Sequence, residues 1–406
     1  MASPAEGARN VRVVSFSSLL TGTYNNLLQV VLQPFVIHLT GSVVLLGALQ
    51  AIATRLGGIT GSLAQLLGGT LTDRWGRKPV MLLGSGFNMA CLSLFLLTAL
   101  VSAPLLLIPA FLFLGLGLVS SPATQSTIAE SVAVRGRAMA YSKVQFFLVL
   151  PAAVVAFAGG YLADRFGYAL IFGVSLGLEA VNFGLFALVL RETLKERNRD
   201  AWSLRRLARL REPRLRGLLI VTSIDAFVWT ISSMIIYGMA VIEFGFTDTD
   251  IGIIVGVWAV VFAATTLPVG KVVERFGSRD LLLVSEALGL PIMLGWILAH
   301  DTLGFVLVAV PSGLTAATWV PAWQTYMANS VEDRNRGEVT GEIVAIRGLL
   351  AFPAPVLGAS LYASFGYPAP MVASFVGVLL AMAAVFKFIE GTRPGKAAPR
   401  ASAGPR

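Results

Sequence analysis

Long apolar runs dominate this chain, and they restrict it to folds that lipid can surround. Scanning for stretches of about 20 predominantly apolar residues, the length that crosses a bilayer, gives twelve spans: 13–38, 43–68, 79–101, 104–128, 138–160, 168–190, 217–241, 250–269, 280–299, 303–328, 339–362 and 369–389. Of the 406 residues, 56% are hydrophobic and 13% charged. A soluble domain carries about 25% charged residues, so this chain has too few to cover its surface against water. The expected fold is an all-α membrane protein. The first apolar run is too long for a signal peptide and shows no clear cleavage site, so it reads as a retained helix. A single cysteine, Cys91, leaves no disulfide framework and no Cys/His zinc spacing.

The net charge of +9 invites a nucleic-acid reading, but placement of the bases argues against it. With the N-terminus inside, all lysines and arginines except Arg55, Arg165 and Arg347 fall in inside segments. That is the positive-inside pattern. Both termini are then cytoplasmic, in an inner or plasma membrane. One connection, 191–216, is long and basic and divides the chain into six spans and six. Its Trp202–Leu210 stretch has the spacing of an amphipathic helix suited to an anionic leaflet.

The halves repeat. Gly69-Thr-Leu-Thr-Asp-Arg-Trp-Gly-Arg-Lys78 returns, weakened, as Gly270-Lys-Val-Val-Glu-Arg-Phe-Gly-Ser-Arg279. Pro122–Ser131 answers to Pro321–Ser330, Arg135-Gly136 to Arg336-Gly337 and Phe166-Gly167-Tyr168 to Phe365-Gly366-Tyr367. The offsets stay between 199 and 201, which chance similarity of apolar helices would not maintain through polar loops. Duplication of a six-span unit accounts for it, and parallel six-span repeats are a transporter architecture. The expected organisation is a tail (1–12), a six-helix bundle (13–190), the basic linker (191–216), a second bundle (217–390) and a tail (391–406).

On these residues the chain resembles the major facilitator superfamily over essentially its whole length. The family's loop 2–3 motif reads Gly-x-Leu-Ala-Asp-Arg-x-Gly-Arg-Lys. Gly69, Leu71, Asp73, Arg74, Gly76, Arg77 and Lys78 match it, with Thr72 in place of the alanine. The resemblance implies two pseudo-symmetric six-helix bundles around a central cavity. Spans 1, 4, 7 and 10 would line it and spans 2, 5, 8 and 11 would form the seam. It also implies a latch in which Asp73 meets the start of span 11 near Arg336-Gly337-Glu338. Gly69 and Gly76 are expected to allow close approach there, with Arg74, Arg77, Lys78 and Arg135 around it. A weaker second latch is expected at Gly270, Glu274, Arg275 and Gly277. The alternative is that the bases only set topology. Two motifs common in proton-driven antiporters of the family are missing: Phe111 stands at the span 4 arginine position, and Pro151 lies eight residues before Gly159-Gly160.

Charged groups inside spans are costly and usually face a cavity or a partner. Arg55 in span 2 and Arg347 in span 11 are candidates to hold an anionic group, or else to pair with Asp225 or Glu342. Asp225 in span 7 is the first candidate proton carrier and Glu179 in span 6 the second. Lys143, Glu286, Glu342 and Lys387 lie nearer the inner surface and are expected to snorkel. Asn26, Gln29 and Gln33 share one face of span 1, and such a stripe should line a wet cavity or bond a neighbour. Gln125, Trp229, Trp319, Trp323 and Gln324 complete the candidate solute site.

There is no Walker-type loop, no HExxH and no nucleophile elbow, so neither an enzyme nor an ATP-driven pump is expected. No cofactor and no metal is expected. The anticipated function is secondary transport of a small organic solute by alternating access, proton-coupled and slightly favouring an efflux antiporter, in a monomer. The alternatives are a facilitator or symporter for an anionic metabolite, resting on Arg55 and Arg347, and a non-transporting sensor on a transporter fold.

Overall fold

The computed structural model describes residues 4–54, 58–132, 137–194, 212–330 and 336–391. Among these the regular structure is helical, and the helical segments group into twelve. We label them α1 (Pro4–Thr40), α2 (Val43–Ile52 and Gly58–Trp75), α3 (Arg77–Val101), α4 (Pro104–Ser131), α5 (Arg137–Val149 and Ala152–Phe166) and α6 (Tyr168–Leu188). The second half holds α7 (Pro213–Ser233 and Ile236–Phe244), α8 (Asp248–Phe276), α9 (Ser278–Leu298), α10 (Thr302–Ser330), α11 (Arg336–Ala351 and Ala354–Phe365) and α12 (Pro368–Phe388). Among the described residues, ten stretches are long and apolar enough to cross a membrane by length and composition. The chain is an integral membrane protein with large apolar side chains on its outer face, such as Leu105, Leu188, Phe365 and Phe386.

Most span boundaries lie within a few residues of the helix ends, α2, α5 and α8 run six or seven residues further at their C-terminal ends, and two segments differ in kind. The segment expected as a tail up to residue 12 is already helical from Pro4. It is anchored there: the Arg9 guanidinium donates to the Val189 carbonyl at 2.6 Å, and Asn10 exchanges hydrogen bonds with the Arg191 backbone. Second, α2 is not one helix. It stops at Ile52 and restarts at Gly58, whose φ of +70° suits glycine. The Ile52 carbonyl freed by the break accepts from the Thr60 hydroxyl at 2.7 Å.

α1 is the least lipid-like span because serine, threonine, asparagine and glutamine interrupt its apolar run. It is sheltered by protein instead: Val30, Val31 and Val36 are fully buried, and it packs on α5, α6 and the second segment of α7. Prolines break α5 at Pro151 and α11 at Pro353, since each removes an amide from the helix ladder. In the first half an aromatic core joins Phe35, Phe95, Phe111 and Phe172, with ring centroids 4.9–5.6 Å apart.

The halves meet along two seams, α2 with α11 and α5 with α8. The α5–α8 contact lies at the end away from the 69–78 motif, the far end. A Cβ on Gly160 would stand 2.1 Å from the Asp248 carbonyl, and one on Gly252 2.8 Å from that of Ala156. Only glycines allow the backbones so close.

Candidate functional site

At the motif end, Arg77 is the centre of a polar cluster. It is buried, and its guanidinium donates to the Thr72 carbonyl at 2.7 Å, to Asp73 Oδ1 at 3.1 Å and to Glu130 Oε1 at 2.7 Å. Glu130 Oε2 accepts from the Thr193 hydroxyl at 2.6 Å. Glu192 accepts from the amides of Arg77 and Lys78, both at 3.0 Å, and so caps the start of α3. Lys78 Nζ donates to the Ala187 carbonyl at 2.8 Å. Arg74 is exposed. The motif is thereby tied to α4 and to the segment leaving α6.

Glu130 and Glu192 were missed as partners. Glu130 had a signal, since it ends the repeated Pro122–Ser131 stretch. Its counterpart in the second half is Asn329, which cannot pair with a base as a carboxylate does.

The glycines divide the work differently from expectation. A Cβ on Gly69 would meet nothing within 4 Å, so it mediates no close approach. Its neighbour Gly68 does, with a Cβ position 2.3 Å from the Val119 carbonyl of α4. Gly76 is needed for its φ of +114° and for room beside the Glu192 carboxylate. Gly277 has φ +90° at the equivalent turn, and nearby Arg279 lies 4.5 Å over the Phe386 ring. Arg55 and Arg135 lie outside the described residues, as do the side chains of Glu274, Arg275 and Arg336. Nothing beyond helix position is described for Gly270.

The polar stripe of α1 is largely spent on protein partners. Asn26 is buried and donates to the Gly22 carbonyl at 2.6 Å. Gln33 spans the two halves at the break in α7. Its Oε1 accepts from the amides of Tyr237 and Gly238, at 3.0 and 3.1 Å, and its Nε2 donates to the Ser233 carbonyl at 3.3 Å. It satisfies both ends of the interruption. Gln29 is half-buried. Gln125 and Gln324, related by the repeat, are both exposed on α4 and α10.

Among the described residues, three carboxyl side chains are buried away from the helix ends: Glu179, Asp225 and Glu286. A charge at bilayer depth costs about 2.5–3.5 kcal/mol on insertion scales, so each needs compensation. Glu179 is held by the Ser85 hydroxyl of α3 and by Asn182 Nδ2 at 3.2 Å, with Tyr24 and Asn88 also beside it. Asp225 has Arg347 as its electrostatic partner and Glu286 as its carboxyl neighbour. Glu286 does not snorkel: it is 1% exposed. Arg347 also lies 5.0 Å over the Trp319 ring, and Trp319 is 5.8 Å from Trp323. Trp229 packs against Gly289 of α9. The structure thus brings together Asp225, Arg347, Trp229 and Trp319, and keeps Glu179 in the other half.

At the far end Asp164 of α5 caps α8. Its carboxylate accepts from the amides of Asp248 at 3.1 Å and Thr249 at 2.7 Å, and from the Thr249 hydroxyl. This tie between halves went unread because a lone acid at a helix end has no sequence signature for a partner 84 residues away.

A separate apolar groove of about 930 Å³ lies between α7, α11 and α12 and contains none of these charges.

The family model for the Major Facilitator Superfamily matches residues 14–228 and 218–405. The chain belongs to the major facilitator superfamily. Its similarity to multidrug resistance protein MdtG of Salmonella typhimurium is 26% identity over 374 residues, covering 90% of this chain and 92% of that one. Among solved structures it is similar in fold to the nucleoside transporter NupG, with TM-score 0.70, 11% identity and coverage of 93% and 98%. It is likewise similar to the human organic anion transporter MFSD10 (TETRAN), with TM-score 0.64, 20% identity and coverage of 93% and 99%. The superfamily fold is what these resemblances share.

Proposed function

We propose that this chain is a proton-coupled secondary transporter that exports a small organic solute by alternating access. The observation that carries the reading is Asp225, buried at membrane depth on a central helix, with half-buried Arg347 on a seam helix as its electrostatic partner. A charge at that depth is costly unless compensated, so its placement between moving elements suits a group whose charge changes during transport. Glu179 is the second candidate proton carrier. Similarity to MdtG supports an efflux reading for the solute. The motif end, where the bases collect, is the cytoplasmic side in this proposal. The Asp73 latch to the start of α11 holds that side closed during part of the cycle.

Arg347 is occupied by Asp225 and by the Trp319 face, so the anionic-metabolite reading has the weaker support.

The test starts from a thermal-shift screen of purified protein against organic cations, organic anions and sugars. A stabilising solute is then followed into proteoliposomes with and without an imposed pH gradient. Gradient-driven flux at least tenfold above the gradient-free rate is expected, and Asp225→Asn should remove the difference. Equal flux under both conditions sinks the coupling.

A further inference from the structure

The charge balance around Asp225 includes a group that the transport reading above does not use. Glu286, in α9, is 1% exposed, and neither of its carboxyl oxygens makes a hydrogen bond. Its polar neighbours are the Asp225 carboxyl and the Trp229 indole. Trp229 stands one turn beyond Asp225 on α7, and Gly289 stands one turn beyond Glu286 on α9. The Trp229 ring fills the space at Gly289, where a Cβ would lie 3.0 Å from Cζ2. This side-chain contact links α7 to α9 one turn from the level at which the two carboxyls are neighbours. Ser285, next to Glu286, fixes α9 from the other side by donating to the Thr315 carbonyl of α10 at 3.0 Å.

The ionisable groups on the surrounding elements can be named. On α7 they are Asp225, Tyr237 and Glu243 and, at the motif end, Arg214 and Arg216. On α11, among the described side chains, they are Arg347, Glu342 and Tyr362. Tyr326 is on α10, Lys387 is on α12, and Asp248 and Asp250 stand at the far end of α8. Arg279 and Asp280 begin α9 itself. Arg214 pairs with Glu390 at 2.8 Å, and Arg279 lies on Phe386. Of the described bases, only Arg347 acts on Asp225. With Asp225, Glu286 and Arg347 all ionised, the cluster carries one negative charge in excess, and one proton brings it to neutrality.

The internal repeat independently marks this place as a polar node. Asp225 and Glu286 lie 201 residues after Tyr24 and Ser85, and those two face Glu179 in the first half. A buried carboxyl therefore lies beside these paired first- and third-helix positions in both halves. In the second half alone, the acids stand at the paired positions themselves.

We infer that Glu286 is a proton-carrying residue of the transport cycle, sharing one proton with Asp225 while Arg347 balances the remaining carboxylate. Uptake forms one O–H bond on a carboxyl oxygen and breaks one in hydronium, and release reverses it. The role in transport rests on the proton-coupled reading above; the shared proton itself does not.

The full chain in lipid nanodiscs tests this by acid-minus-alkaline infrared difference spectra, with no gradient and no solute. Wild type should gain the carbonyl band of a protonated carboxyl on acidification. Glu286→Gln should lose it, and Asp225→Asn should shift its frequency. Glu179→Gln controls for the node in the other half and should leave this band in place. If Glu286→Gln does not fold, Glu286→Asp keeps the carboxyl and must displace the band. A band unchanged by whichever Glu286 variant folds overturns the inference. If the band behaves as expected while flux ignores a pH gradient, the proton node stands and only the coupling falls.

Discussion

Arg77 shows how one side chain can be over-committed by the motif that contains it. It bonds a carbonyl and two carboxylates from a position with little access to water. Hydrogen bonds to charged groups contribute about 1.5–3 kcal/mol each where they are buried, and the partial exposure of Asp73 and Glu130 calls for the low end. Arg77→Ala should lower the thermal unfolding midpoint by several degrees in detergent, and Glu130→Gln by about half as much. An unchanged midpoint in both would mean that the cluster is not structural. Gln33 is committed in the same way, across the halves. Gln33→Ala leaves two amides and a carbonyl unpaired at the α7 break. It should slow transport more than it weakens solute binding, because the lost contacts are between moving parts. Binding and flux measured on the same preparation separate the two effects.

At the scale of the helix, the far end of α8 is held by a cap and by a close approach. Removing a side-chain cap costs about 1 kcal/mol, which changes a two-state population about fivefold. Asp164→Ala should therefore favour separation of α5 from α8 by about that factor. Gly252→Leu should do more, since its side chain would occupy space now filled by the Ala156 carbonyl and the Gly160 backbone. Both can be read with a cysteine placed at Gln29 of α1 and an impermeant maleimide added on the far side. The native Cys91 is buried and should stay silent. Labelling should quicken about fivefold with Asp164→Ala and further with Gly252→Leu. Unaltered rates would show that neither contact controls access.

At the scale of the whole molecule, two similar halves have been given different work. The first half concentrates its charged contacts at the motif end, through Arg77, Glu130 and Glu192, and keeps Glu179 in a cage of hydroxyl and amide groups. The second half places Asp225, Glu286 and Arg347 at membrane depth and beside tryptophans. The repeat makes the halves superposable in principle, yet Asn329 in place of Glu130 weakens one end of the second copy. Acid at Asp225 and Glu286, in place of Tyr24 and Ser85, charges its interior. Such asymmetry suits a transporter that rocks about a fixed site while only one half exchanges a proton.

The sequence alone determined the number and approximate positions of the spans, their division into two sixes and the family. Apolar length and positive charge act locally, so they survive being read one segment at a time. The break in α2 was hidden because the runs on either side of Thr54 and Arg55 are apolar and glycine is tolerated in membrane helices. Gln33 looked like a cavity residue because a polar stripe reads alike whether it faces water or another helix's broken end. Glu286 looked like a snorkelling side chain because depth along a span was legible and direction around it was not. Only the folded arrangement, in which α7 and α9 both pack on α12, decided that its carboxyl neighbours Asp225. Which charges lie together depends on contacts between segments far apart in sequence, and those exist only after the chain has folded.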